Sequence, residues 1–144
     1  MVVLALGAAF KLSLPAQEPP PFFESTPTIL ITVPRVWQDN NQNGIQDFDE
    51  KGMAEIKVSL LSVGTNQPIA QAVTDQNGRC ELRVLSRPSH FRLHFELPPD
   101  TRFTATRRGS NESIDSDVNA DGMTTPFYNR SFREGVDAGI VPAQ

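Results

Sequence analysis

Residues 90–97 read HFRLHFEL, with Phe91, Leu93, Phe95 and Leu97 on one parity and His90, Arg92, His94 and Glu96 on the other. A helix repeats its faces every 3.6 residues and cannot present that pattern. A strand with one face on a core and one in water can. Other stretches keep the same period. Ile56, Val58 and Leu60 alternate with Lys57, Ser59 and Leu61, and Cys80, Leu82 and Val84 alternate with Glu81, Arg83 and Leu85. Shorter apolar runs at 29–37, 68–74, 102–106, 124–128 and 136–141 supply further strands. No window of about 11 residues or more carries a helical apolar stripe. The breaks between runs are rich in Pro, Gly, Asn and Asp, among them Asp75-Gln76-Asn77-Gly78, whose Asn-Gly pair tolerates positive φ. The expectation is an all-β, antiparallel sandwich or barrel. Its expected core is Trp37, Ile56, Val58, Leu60, Val73, Leu82, Phe91, Leu93, Phe95, Phe103 and Phe127.

A length of 144 residues suits one domain, and no internal repeat suggests an array. The charge balance, 13 Lys+Arg against 17 Asp+Glu, leaves the chain at −4. That argues against nucleic acid and against an anionic membrane surface as partners. One cysteine excludes an internal disulfide and a cysteine-based zinc cage. Cys80 shares a parity with Leu82 and Val84, which reads as a small core residue. With His90 and His94 on a solvent face, no set of nucleophile, base and orienting group emerges, so an enzyme is not expected.

The acidic residues are not evenly spread. Six of nine Asp fall within 39–50 and 115–121. The first stretch, Asp39-Asn40-Asn41-Gln42-Asn43-Gly44-Ile45-Gln46-Asp47-Phe48-Asp49-Glu50, fits the calcium-loop pattern D-x-[DN]-x-[DN]-G-x5-E at every fixed position. Calcium is a hard ion that takes six to eight oxygens. Asp39, Asn41 and Asn43 offer side-chain oxygens at alternate positions. Gly44 permits the turn that aims the Ile45 carbonyl inward, with the Ile45 side chain turned away into the core. Asp47 binds directly or through water, and Glu50 closes the site. The helices that flank such a loop in EF-hands are missing, so the loop is expected between strands. The second stretch places Asp115, Asp117, Asn119 and Asp121 at every second position. Carboxylates so close together repel one another without a cation. This stretch either forms its own site or lends ligands to the first.

Near the N-terminus, residues 2–10 are apolar and match the core of a secretory signal peptide, with cleavage expected after Ala16. The run is too short to span a membrane. Residues 17–28 read as a Pro-rich extended linker, and 29–142 as the folded body.

The body resembles the B-type domains of SD-repeat proteins, relatives of the collagen-adhesin B repeats of bacterial surface proteins. The resemblance rests on an ordered series: Val36-Trp37-Gln38-Asp39 through Glu50-Lys51-Gly52, Ile56-Lys57-Val58-Ser59-Leu60, and Thr74-Asp75-Gln76-Asn77-Gly78. Phe95-Glu96-Leu97-Pro98, Phe103-Thr104, Asp115-Ser116-Asp117 and Asp137-Ala138-Gly139 follow in the same order. It implies a prealbumin-like (Ig-like) Greek-key sandwich of about seven strands that binds Ca²⁺ in an extracellular or cell-surface protein. Asp39, Asn41, Asn43, Asp47 and Glu50 are the implied first-site ligands, and Asp115 and Asp117 belong to the acidic cluster. Cys80 departs from the family, which usually has an aromatic at or beside that place. A Lys-to-Asn or Lys-to-Asp crosslink, known in related repeats, is not expected, because Arg35 occupies the first-strand position and Lys57 is out of phase with the core. Two readings of function follow. One is a secreted or surface calcium-binding structural or adhesive module. The other is a module recognising an extracellular peptide, protein or glycan, with calcium incidental.

Overall fold

A computed structural model describes residues 28–86, 89–128, 132–133 and 135–143. The expected signal peptide and almost all of the expected linker lie outside the described residues. Among those described, ten strands occur and no helix is long and apolar enough to cross a membrane. The strands are β1 (Thr28–Thr32), β2 (Arg35–Gln38), β3 (Lys57–Ser62), β4 (Pro68–Val73), β5 (Leu82–Ser86), β6 (His90–Phe95), β7 (Thr101–Phe103), β8 (Phe127–Tyr128), β9 (Phe132–Arg133) and β10 (Asp137–Pro142). They form three small sheets, ordered β5-β1-β9, β2-β10-β7 and β4-β3-β6-β8.

The count exceeds the expected seven or so because apolar runs divide. The run at 29–37 breaks at Val33-Pro34 into β1 and β2, which join different sheets. Proline has no N–H to offer a ladder, so pairing cannot continue smoothly through it. The run at 124–128 becomes a strand only at Phe127. Before that, the Thr124 hydroxyl takes the place of a ladder partner and accepts from Leu93 N at 2.9 Å. Pairing is also not wholly antiparallel. β1 with β9 and β2 with β10 are parallel.

The clearest sequence signal gives the clearest strand. In β6, Phe91, Leu93 and Phe95 are buried and alternate with exposed or half-buried partners. β3 lies between β4 and β6 and is covered more fully than its alternation suggests: Ser59 and Leu61 are buried along with Val58 and Leu60. All three sheets feed one core. Leu30 and Leu82 come from the first, Val36, Phe103 and Ile140 from the second, and Val58, Leu93 and Phe127 from the third. Of the expected core residues, Val73 is the exception. It lies on the edge strand β4 and is 57% exposed. Trp37 is fully buried. The turn at Asp75 closes as an Asx turn, its Oδ1 accepting from Asn77 N at 2.8 Å and Arg79 N at 3.0 Å, with Gly78 at φ +73°. Lys57 reaches out to Glu96 at 3.2 Å.

Candidate functional site

Strand β2 delivers Asp39 to the edge of the core. Asp39 N donates to the Ile140 carbonyl at 2.9 Å, continuing the β2–β10 pairing by one residue. The Asp39 side chain is buried. Its Oδ2 accepts from Gly44 N at 2.8 Å and from Thr104 Oγ1 at 2.5 Å, and its Oδ1 from Asn43 N at 3.2 Å. Along the loop the two Asn side-chain oxygens accept from the backbone two residues on: Asn41 Oδ1 from Asn43 N at 3.1 Å, and Asn43 Oδ1 from Ile45 N at 2.8 Å. The two Asn amides both donate to Asp47 Oδ2, at 2.7 and 2.8 Å. At the far end Glu50 folds back. Its Oε1 accepts from Asn40 N at 2.8 Å and its Oε2 from Asp47 N at 3.0 Å, so its carboxylate spans the loop and is buried. Residues 39–50 therefore curl around their own acidic side chains.

Gly44 is required for this path. Its φ is +76°, and a Cβ there would stand 2.6 Å from the Ala105 carbonyl oxygen and 2.7 Å from Arg108 Cγ. The next residue, Ile45, does not send its side chain into the core. It is half-buried and lies against Gly109. The segment after β7 supplies that wall, and a core position is not open to it.

The second acidic stretch runs beside the first. Ile45 and Asp115 face each other in an isolated antiparallel bridge, flanked by bonds from Gln46 N to the Ile114 carbonyl at 2.7 Å and from Ser116 N to the Gly44 carbonyl at 3.3 Å. Asp115 is 3% exposed, and its Oδ1 is buried with no hydrogen-bond partner. Burial pushes its carboxyl pKa upward, with Arg107 opposing. Asp117 turns to Asp137 instead. Asp117 N donates to the Asp137 carbonyl at 2.8 Å, and Asp137 N donates to Asp117 Oδ2 at 2.9 Å. Asp137 Oδ1 accepts from Arg35 N at 2.9 Å, and burial pushes its carboxyl up to about 7. Asn119 Oδ1 accepts from Asp121 N and Met123 N, both at 3.0 Å, closing a turn over β6 in which Asp121 is exposed.

The structure thus gathers Asp39, Asn41, Asn43, Ile45, Asp47 and Glu50 in one loop and brings Asp115 alongside. It sets Asp117 against Asp137 and leaves Asn119 and Asp121 in a separate turn. Among the described residues no group of three or more His, Cys, Asp or Glu side chains is drawn together as a metal cage. The donor set of the first loop is instead three carboxylates, two amides and a carbonyl. All are hard oxygens suited to Ca²⁺, and Asp115, whose backbone bridges to Ile45, has a buried Oδ1 without a hydrogen-bond partner. The residues present fit a calcium ion chemically. Sequence reading missed Thr104, which appears there only as part of a Phe-Thr pair. Nothing local signals that its hydroxyl meets Asp39 across 65 residues. Cys80 is buried and its thiol is pushed up to about 11 by desolvation and by Asp75, so it remains a protonated packing group.

A family model described as the SdrD B-like domain matches residues 34–140. Serine-aspartate repeat-containing protein D of Staphylococcus aureus (strain Newman) is 34% identical over 82 residues, covering 56% of this chain and 6% of that protein. Serine-aspartate repeat-containing protein F of Staphylococcus epidermidis is 34% identical over 87 residues, covering 60% of this chain and 5% of that protein. The match spans only a small fraction of the length of either relative. Among solved structures, the shaft pilin SpaA from Lactobacillus rhamnosus GG aligns over 83% of this chain and 52% of that one, at 9% identity and a TM-score of 0.43.

Proposed function

This chain belongs to the SdrD B-like domain family, and on that premise we propose that it is a calcium-binding, non-catalytic β-sandwich module of a secreted or cell-surface protein, with a structural or adhesive role. The observation that carries the reading is the curled loop 39–50, in which Asp39 and Glu50 are both buried at its two ends with Asp47 between them. Asp39, Asn41, Asn43, Asp47, Glu50 and the Ile45 carbonyl would hold the ion. Asp115 would lend a carboxylate from the second stretch, while Asp117 stays with Asp137. Bound calcium supplies positive charge that offsets the repulsion among these carboxylates and ties the two stretches together. Extracellular calcium modules bind at about 10⁻⁴–10⁻³ M, and two amides in place of carboxylates suit that range.

Thermal unfolding in millimolar Ca²⁺ and in EGTA, for wild type and Glu50→Gln, tests the proposal. The wild-type midpoint should rise with calcium and the variant's should rise much less. Equal midpoints in all four samples would remove the calcium reading.

A further inference from the structure

Arg35 and Arg79 face each other across an isolated antiparallel bridge and together line a cavity of about 460 Å³. Gln46 and Asp137 share its wall. Arg35 Nε and Gln46 Nε2 are buried and without a hydrogen-bond partner. Neither guanidinium forms an ion pair among the described residues, where the ion pairs are Lys57–Glu96 and Arg83–Glu81. Both unpartnered atoms are donors with no acceptor capacity. A buried donor left unmatched is costly, and both of these belong to residues that line the cavity. The chain as a whole is at −4, so two arginines in one concavity, with no ion pair within 4 Å among the described residues and Asp137 as the acid attracted to both, depart from its general charge.

The form of the ligand follows from the other wall residues. Guanidinium groups suit oxyanions that can accept two parallel hydrogen bonds, such as carboxylates and phosphates. Asp137, held at Oδ1 by Arg35 N, adds negative charge to the wall, so a monoanion is favoured over a dianion. Val33 and Ile114 also line the cavity and offer apolar contact to a methylene stem. We propose that this cavity binds the acidic side chain of a partner polypeptide, with Arg35 and Arg79 donating to its carboxylate and the Gln46 amide completing the recognition. Arg35 and Arg79 lie outside the 39–50 loop but Gln46 lies within it, so the titration is run both in calcium and in EGTA to separate this proposal from the calcium reading.

The test is an NMR titration of the ¹⁵N-labelled full chain with acetyl-Gly-Glu-Gly-amide, acetyl-Gly-Gln-Gly-amide, acetate and inorganic phosphate. The Glu peptide should shift the Gln46 side-chain and Ile114 backbone signals saturably, and the Gln peptide should not. Acetate should act at the same signals more weakly, because it lacks the stem. Arg79→Gln should weaken the Glu peptide about tenfold, as loss of a charge-assisted donor predicts. Gln46→Leu should also weaken it, and serves if Arg79→Gln disturbs the spectrum. No saturable shift, an equal response to the Gln peptide, or unchanged binding in a folded variant would overturn the proposal. Phosphate or acetate binding as tightly as the Glu peptide would overturn the assignment to an acidic side chain.

Discussion

The Thr104 hydroxyl donates a 2.5 Å hydrogen bond to Asp39 Oδ2, joining two buried side chains 65 residues apart in sequence. It fixes the first acid of the 39–50 loop to the segment that follows β7. Thr104 N in turn donates to the Gly139 carbonyl at 2.9 Å, so the same residue ties the loop to β10. Thr104→Val keeps the shape and removes the donor. A buried carboxylate oxygen then loses one partner, which costs about 1–3 kcal/mol. Chemical denaturation should show that loss for Thr104→Val and a much smaller one for Thr104→Ser.

Gly139 has an ordinary backbone conformation but no room for a side chain. A Cβ there would stand 2.5 Å from Thr104 Cγ2 and 2.7 Å from Trp37 Cζ2. Both neighbours are buried and β10 is the central strand of its sheet, so little can yield. Gly139→Ala should destabilise by about 1–3 kcal/mol through overpacking. Trp37 is the single tryptophan, so its fluorescence should report the disturbance directly.

Glu50→Gln separates the backbone role of this side chain from its proposed ionic one. The carboxylate accepts from Asn40 N and Asp47 N, and an amide can keep only one of those bonds. Without calcium the variant should lose about 0.5–1.5 kcal/mol. With calcium at a hundredfold excess over Kd, wild type should gain about 2.7 kcal/mol and the variant far less. Paired melts in EGTA and in calcium read both quantities.

Cys80 makes a pH prediction. Its thiol rises from 9.0 to about 11 on folding, first because burial disfavours the thiolate and then because Asp75 does. The unfolded chain therefore releases this proton first as pH rises. The Cys80 contribution to stability is fully present below about pH 9 and is lost as pH climbs towards 11. Urea midpoints of wild type should fall across that window more than those of Cys80→Ala. Native Cys80 should resist alkylation at pH 8 and react promptly in urea.

The sequence by itself determined the all-β character, most of the core and the first loop. Those properties are local. Period-2 alternation in His90–Phe95 sorts faces without reference to any other strand, and the oxygens of Asp39 to Glu50 are spaced along one curled segment. Tertiary structure decided what depends on neighbours. Val73 is exposed because β4 is an edge, whereas Ser59 is buried because β3 is flanked on both sides. Ile45 meets Gly109 because the chain after β7 crosses there. The second acidic stretch looks uniform in sequence, yet the fold divides it. Asp115 goes to the first loop, Asp117 to Asp137, and Asn119 to its own turn. Thr104 and the Arg35–Arg79 pair join the picture only through contacts between distant segments, which pairing register sets and local spacing cannot.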